Sequence, residues 1–149
     1  MAELFIESFR SLVPTYYDQP WRPENGLSRR ELEAALDESG VNIPTALADL
    51  YLAVGAVEDL MEAYYFIWDP DELEIQDGYL LFMEDEDESL TWGIPANTIS
   101  SPDPLVSRRN EKGKWVPMDA TVSEYLMDYF EWVHKEILPA IESAENESE

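Results

Sequence analysis

Gly78-Tyr79-Leu80-Leu81-Phe82-Met83, then Glu84-Asp85-Glu86-Asp87-Glu88, then Ser89-Leu90-Thr91-Trp92-Gly93-Ile94 is an apolar run, five consecutive acids and a second apolar run. Each run has the length of a strand, and the acids between them can only face water. The stretch therefore predicts an antiparallel pair joined by an acidic hairpin tip. Upstream, Ala63-Tyr64-Tyr65-Phe66-Ile67-Trp68 reads as a buried strand broken by Asp69-Pro70-Asp71-Glu72. Downstream, Pro95 to Pro104 holds three prolines and reads as loop. Leu105 to Arg109 and Lys114 to Val116 then flank Asn110-Glu111-Lys112-Gly113 as a second hairpin.

Helical signals surround this sheet. Leu4, Phe5, Ser8, Phe9, Leu12 and Val13 recur at helical spacing and are expected to end at Pro14. Thr15 to Leu27 reads as an irregular connection whose Trp21 docks on the body. Ser28 and Glu31 form a capping box for a helix closed by Gly40. Pro44 suits the first turn of another helix, with Leu47, Leu50, Tyr51 and Val54 on one face and Gly55 at its end. Val57 to Met61 predicts a further turn. Thr121 and Glu124 form a second capping box before Val122, Tyr125, Leu126, Tyr129, Phe130, Val133 and Ile137. The expected architecture is α+β: a mostly antiparallel sheet packed against helices, with a closing C-terminal helix. Residues 1–40 are expected to be a helical extension packed on the body, 41–138 the α+β domain and 139–149 an acidic flexible tail.

The charge is extreme. Thirty-three Asp and Glu face nine Lys and Arg, for a formal net charge of −24 over 149 residues. From Glu31 to Ser107 nineteen carboxylates occur without one Lys or Arg. Disordered acidic chains lack the apolar and aromatic residues that offset chain entropy, but this chain is 45% hydrophobic with five Trp, eight Tyr and five Phe. A folded polyanionic domain is expected, one that disfavours nucleic acid and anionic membranes and favours basic proteins. No run of about 18 apolar residues occurs and the start lacks a leader-like pattern, so a cytoplasmic location is expected.

Chemistry-bearing motifs are sparse. With no Cys and one His, disulfides, thiolate zinc sites and cysteine nucleophiles are excluded. Counting from Asp69, Asp71 fits the third position of a calcium loop, but Leu73 falls at the fifth and Glu74 replaces the turn glycine at the sixth; Glu84 to Glu88 also lacks that glycine. His134 lies beside the apolar stripe of the closing helix with no nucleophile or orienting acid placed next to it, and is expected to be structural. Neither an enzyme nor a cofactor is expected. The partner-binding residues expected are Glu84, Asp85, Glu86, Asp87 and Glu88 at the hairpin tip, where charges steer encounter, with Trp92 as an aromatic anchor beside them. Trp115 is also an expected partner-binding residue; it and Trp132 depart from the apolar patterns and are the expected exposed pair. Arg108, Arg109, Lys112 and Lys114 form a small basic patch for which internal pairing is expected.

Two blocks, Ile43-Pro44-Thr45-Ala46-Leu47-Ala48-Asp49-Leu50-Tyr51 and Gly78-Tyr79-Leu80-Leu81-Phe82-Met83-Glu84 followed by Trp92-Gly93-Ile94, resemble the SMI1/KNR4 (SUKH) superfamily in kind and order. Its closing helix would match Val122-Ser123-Glu124-Tyr125-Leu126. The resemblance covers roughly residues 41–130 and implies a SUKH-like α+β domain. Many bacterial members are immunity proteins that bind and neutralise a toxin, often a nuclease. The chain departs from the family where paired small residues often follow the first helix: only Gly55 stands between Val54 and Ala56. The implied function is non-catalytic neutralisation of a basic toxin domain by electrostatically steered blockade. The alternative is a regulatory or scaffold interaction module whose acidic surface serves solubility.

Overall fold

The computed structural model describes residues 5–87 and 89–147, except for the side chains of 144–147. The hairpin forms as read: β3 (Tyr79–Glu84) pairs antiparallel with β4 (Thr91–Pro95). The second hairpin is β5 (Leu105–Arg109) with β6 (Trp115–Thr121), longer than expected. On its other side β3 pairs with two short strands, β1 (Phe66–Ile67) and β2 (Glu74–Gln76), which completes a six-stranded antiparallel sheet running β1, β3, β4, β5, β6.

Helix α4 (Thr45–Val54) lies at the centre, with eight of its ten residues buried. Around it pack α1 (Ile6–Arg10), α3 (Arg29–Ser39) and α6 (Val122–Trp132). Phe9, Leu47, Leu50, Tyr51, Leu80, Phe82, Trp92, Leu126 and Phe130 fill one continuous core. Both capping boxes are present: Ser28 with Glu31 opens α3 and Thr121 with Glu124 opens α6. Gly40, at φ 74°, closes α3 in the left-handed region.

The connection between α2 (Leu12–Tyr17) and α3 is tied to the end of α4, where helix carbonyls lack partners of their own. Trp21 Nε1 donates to Ala53 O at 2.6 Å, and Leu27 N donates to Tyr51 O at 3.0 Å. Gly26 packs so close to Leu52 O that a Cβ there would lie 1.7 Å from it. Asp49, buried in α4, accepts from Phe5 N at 2.9 Å and so holds the entry to α1.

Several expectations change. The first helix does not end at Pro14: after a break at Ser11 the chain restarts as α2 with Pro14 in its first turn, where no backbone N–H is required. The strand from Ala63 shrinks to β1 because Tyr64 N and Tyr65 N donate to the Tyr129 hydroxyl, at 3.2 and 2.9 Å, instead of to a neighbouring strand. Asp69 to Glu72 contains a 3-10 turn (Pro70–Glu72), and the β2 that follows was not foreseen. The acidic tail is helical through Glu147 rather than frayed. Pro139 is accommodated because the chain passes through a π-turn (Val133–Ile137), with Leu138 N bonded five residues back to Val133 O, before α7 (Leu138–Glu147). Ser148 and Glu149 lie outside the described residues.

His134 occupies that π-turn. Its ring stacks on Tyr16 at 4.1 Å, and its Nε2 and Nδ1 lie 3.1 Å from the Tyr17 hydroxyl and 2.8 Å from Phe130 O. It thus clamps α2 to the closing helix, and burial, followed by repulsion from Asp59, pushes the Tyr17 phenol up to about 12.

Gly26→Ala is expected to cost roughly 3 kcal/mol or more, because the added methyl meets backbone rather than a movable side chain. Gly40→Ala has open space around its Cβ and should cost only about 1–2 kcal/mol for its left-handed φ. Urea unfolding of the two variants measures the gap, and equal losses would contradict the close approach.

Candidate partner-binding surface

At the hairpin tip, hydrogen bonds fix two of the acids. Asp85 accepts from Leu90 N at 3.0 Å and from Ser89 Oγ at 2.7 Å, while Asp87 accepts from Ser89 Oγ at 2.8 Å. The Ser89 hydrogen bonds hold the Asp87 carboxyl below the usual range, so it stays ionised. Glu86 is exposed, Glu84 ends β3, and Glu88 lies outside the described residues. Asp85, Glu86 and Asp87 line a groove of about 670 Å³ with Tyr64, Tyr65, Ser89, Leu90 and Glu111.

Neither expected tryptophan joins them. Trp92 is 0% exposed, which overturns its place in a partner contact. Strand alternation turns Trp92 and Ile94 toward the helices, where Trp92 Nε1 donates to the Tyr125 hydroxyl at 2.6 Å and the ring meets Tyr65 at 4.5 Å. Trp115 is half-buried, stacked on Tyr79 at 3.9 Å, and its ring lies 3.0 Å from where a Cβ on Gly93 would stand. The missing side chain lets the indole lie across the sheet. Of the expected exposed pair, only Trp132 is exposed, at 37%; its neighbour is Tyr64, at 43%. Their rings meet edge-on at 5.7 Å.

A second and more acidic groove was not read from the sequence. About 520 Å³ in volume, it is lined by Glu58 and Glu62 from α5 (Glu58–Met61) and its end, by Asp69 and Glu72 from the 3-10 turn, by Glu74 of β2 and by Glu84 of β3, with Met61, Phe66, Ile67 and Trp68 among its apolar walls. Among the described residues no Lys or Arg lines either groove. Consecutive residues divide between them: Phe66 and Glu84 face one, Tyr65 and Asp85 the other. The negative surface therefore continues around the end of the β1–β3 pair. The signal that could have found it was the lysine- and arginine-free interval 31–107, which contains every acid of this second groove.

The fields of these acids converge. Burial first, then repulsion from Glu72, Asp71, Glu62 and Glu58, raises the Asp69 carboxyl above its ordinary value. The buried Tyr51 phenol, which donates to Trp68 O, is raised well above its usual range by burial, then by Asp69, Glu72 and Asp71. The cations sit elsewhere and are partly occupied: Arg109 pairs with Asp77 at 3.5 Å and donates to Gln76 Oε1, Arg10 pairs with Glu7, and Lys135 pairs with Glu131.

No family model, curated protein or solved structure matches this chain. The site's chemistry must therefore come from its own residues. Asp69, Asp71 and Glu72 can bring one oxygen each within 4.8 Å of one another, but all three are exposed on one turn, and calcium takes about six to eight oxygen ligands. Among the described residues no helix is long and apolar enough to cross a membrane.

Because the Asp69 carboxyl is raised on folding, the native state holds its proton where the unfolded chain has released it. Stability therefore falls as pH rises through the window just above the ordinary Asp value. Asp69→Asn should flatten that loss and, at neutral pH and low salt, raise stability by up to about 0.5 kcal/mol, a screened surface magnitude. Thermal melts across pH, repeated in high salt where the gain should shrink, check both sign and origin.

Proposed function

We propose that this chain is a non-catalytic protein that binds a basic protein partner and blocks its anion-binding surface. In the narrower form suggested by the SMI1/KNR4-like blocks, the partner is a cationic toxin domain, a nuclease by preference. The observation that carries this reading is the more acidic groove, where six carboxylates gather from four segments with no Lys or Arg among the lining residues. A nuclease cleft built to meet phosphates presents cations at close spacing, and closely spaced carboxylates compete for the same cations. The mutual repulsion felt by Asp69 weighs against stability, and a cationic partner would relieve it.

Electrostatics would act chiefly on the encounter rate. Long-range attraction speeds association and fades as the screening length falls to about 8 Å at physiological salt. The hairpin tip, on the far side of Glu84, extends the attractive surface and does not stand alone as the contact.

Glu58→Gln, Glu62→Gln and Glu72→Gln together should slow association with a basic nuclease domain roughly tenfold at low salt and weaken its inhibition. Asp128→Asn, Glu136→Gln and Glu142→Gln, exposed along the closing helices, remove the same charge and should change the rate less than twofold. Stopped-flow association across a salt series reads both; equal slowing by the two triple variants rejects the groove as the contact.

A further inference from the structure

The aromatic pair beside the hairpin tip contributes little to the core. Tyr64 and Trp132 are among the most exposed large apolar side chains among the described residues, yet they are held firmly. The Tyr64 backbone N–H is bonded to the Tyr129 hydroxyl, and Tyr65 backs both rings, 5.0 Å from Tyr64 and 6.2 Å from Trp132. Tyr64 and Tyr65 form the aromatic wall of the hairpin-tip groove, and Asp85, Glu86, Asp87 and Glu111 supply its acids. Asp85 and Asp87 are fixed by Ser89 and Leu90, so the carboxylates stand at set positions before any partner arrives.

Aromatic faces and carboxylates meeting in one groove suit a cation with a flat, weakly hydrated body. A guanidinium can stack on a ring while its edge donates two parallel hydrogen bonds to a carboxylate; an ammonium is a hydrated point charge and does neither as well. The four acids would repel an anionic occupant and gain no charge pairing from a neutral one. The chain uses the same chemistry internally, with Arg10 over Trp21 at 4.2 Å and Arg109 over Trp115 at 5.5 Å. Two internal cations lie on this side: Arg108, 6.0 Å from the buried Trp92 ring, only partly offsets the rise that burial, then Tyr64 and Tyr125, impose on the Tyr65 phenol, and Lys135, beside Trp132, is paired with Glu131. No such pair covers Tyr64 or Trp132 among the described residues.

We propose that the Tyr64–Trp132 face and the acids of the adjoining groove dock an arginine side chain of the basic partner. This rests on the reading that the partner is cationic, and adds that this face reads arginine in preference to lysine. Contact here places the partner across the end of the β1–β3 pair, where the more acidic groove engages the rest of its positive surface.

Nona-arginine and nona-lysine peptides, titrated separately against the full chain at about 150 mM salt with tryptophan fluorescence and calorimetry as readouts, test the proposal. Nona-arginine should bind roughly fivefold more tightly. Tyr64→Ala with Trp132→Leu should remove that preference while leaving the nona-lysine affinity within twofold, and Tyr64→Phe, which keeps the ring, should retain it. Glu58→Gln, Glu62→Gln and Glu72→Gln should weaken both peptides alike. If circular dichroism shows the double variant unfolded, Tyr64→Ala alone, at an exposed position, carries the test. Equal wild-type affinities, or a preference that survives loss of the rings, would overturn arginine docking and leave the cationic partner standing. Failure of both peptides to bind would overturn both readings.

Discussion

The enclosure of α4 is the constraint on which the rest of the structure depends. A helix buried on nearly every face cannot rely on water for its terminal carbonyls, so protein must supply the donors. Trp21 and Leu27 do so from the α2–α3 connection, which fixes the path of a segment with little regular structure of its own. Asp49 draws the entry to α1 against the same helix. On the opposite side Tyr51 reaches out of the core to Trp68 O, immediately before the turn that carries Asp69 and Glu72. The turn that carries Asp69 and Glu72 is thus tied to the most buried element in the molecule.

That arrangement sets core packing against surface electrostatics. Burial of Phe82, Trp92, Phe130 and the α4 side chains supplies the dominant favourable term, at about 25 cal/mol per Å² of apolar surface. Each added like charge opposes it by a smaller, salt-dependent amount. The few bases do little to balance the groove because they are placed elsewhere: Arg109 on the sheet's far side, Lys135 on the closing helix, Arg10 over Trp21. A fold under selection for stability alone would mix the signs. Segregation is what makes a cationic ligand an economical explanation of the charge.

Much of the fold was legible because its signals are local. Ser28 with Glu31 and Thr121 with Glu124 mark two helix starts within four residues each, and the runs around Glu84 to Glu88 mark the hairpin unaided. The misreadings came from partners distant in sequence. Tyr64 and Tyr65 look like strand residues until Tyr129, more than sixty residues later, takes their N–H groups. Pro14 and Pro139 look like stops, but a first turn and a π-turn each absorb a missing donor. Trp92 was misplaced although the signal was present: alternation with Gly93 and Ile94 puts it on the inner face with Leu80 and Phe82. The more acidic groove draws on four segments between Glu58 and Glu84, and only the lack of bases across that interval hinted that they meet.

The clamp at His134 joins residues separated by 117 positions, since Tyr17 and Tyr16 close on a ring near the far end of the described chain. During translation at about 5–20 residues per second, the two tyrosines are added to the chain roughly 6–24 seconds before the imidazole is. The leading helices must wait through that interval with one aromatic flank uncovered. Locking of α2 against the closing helix is therefore a late event.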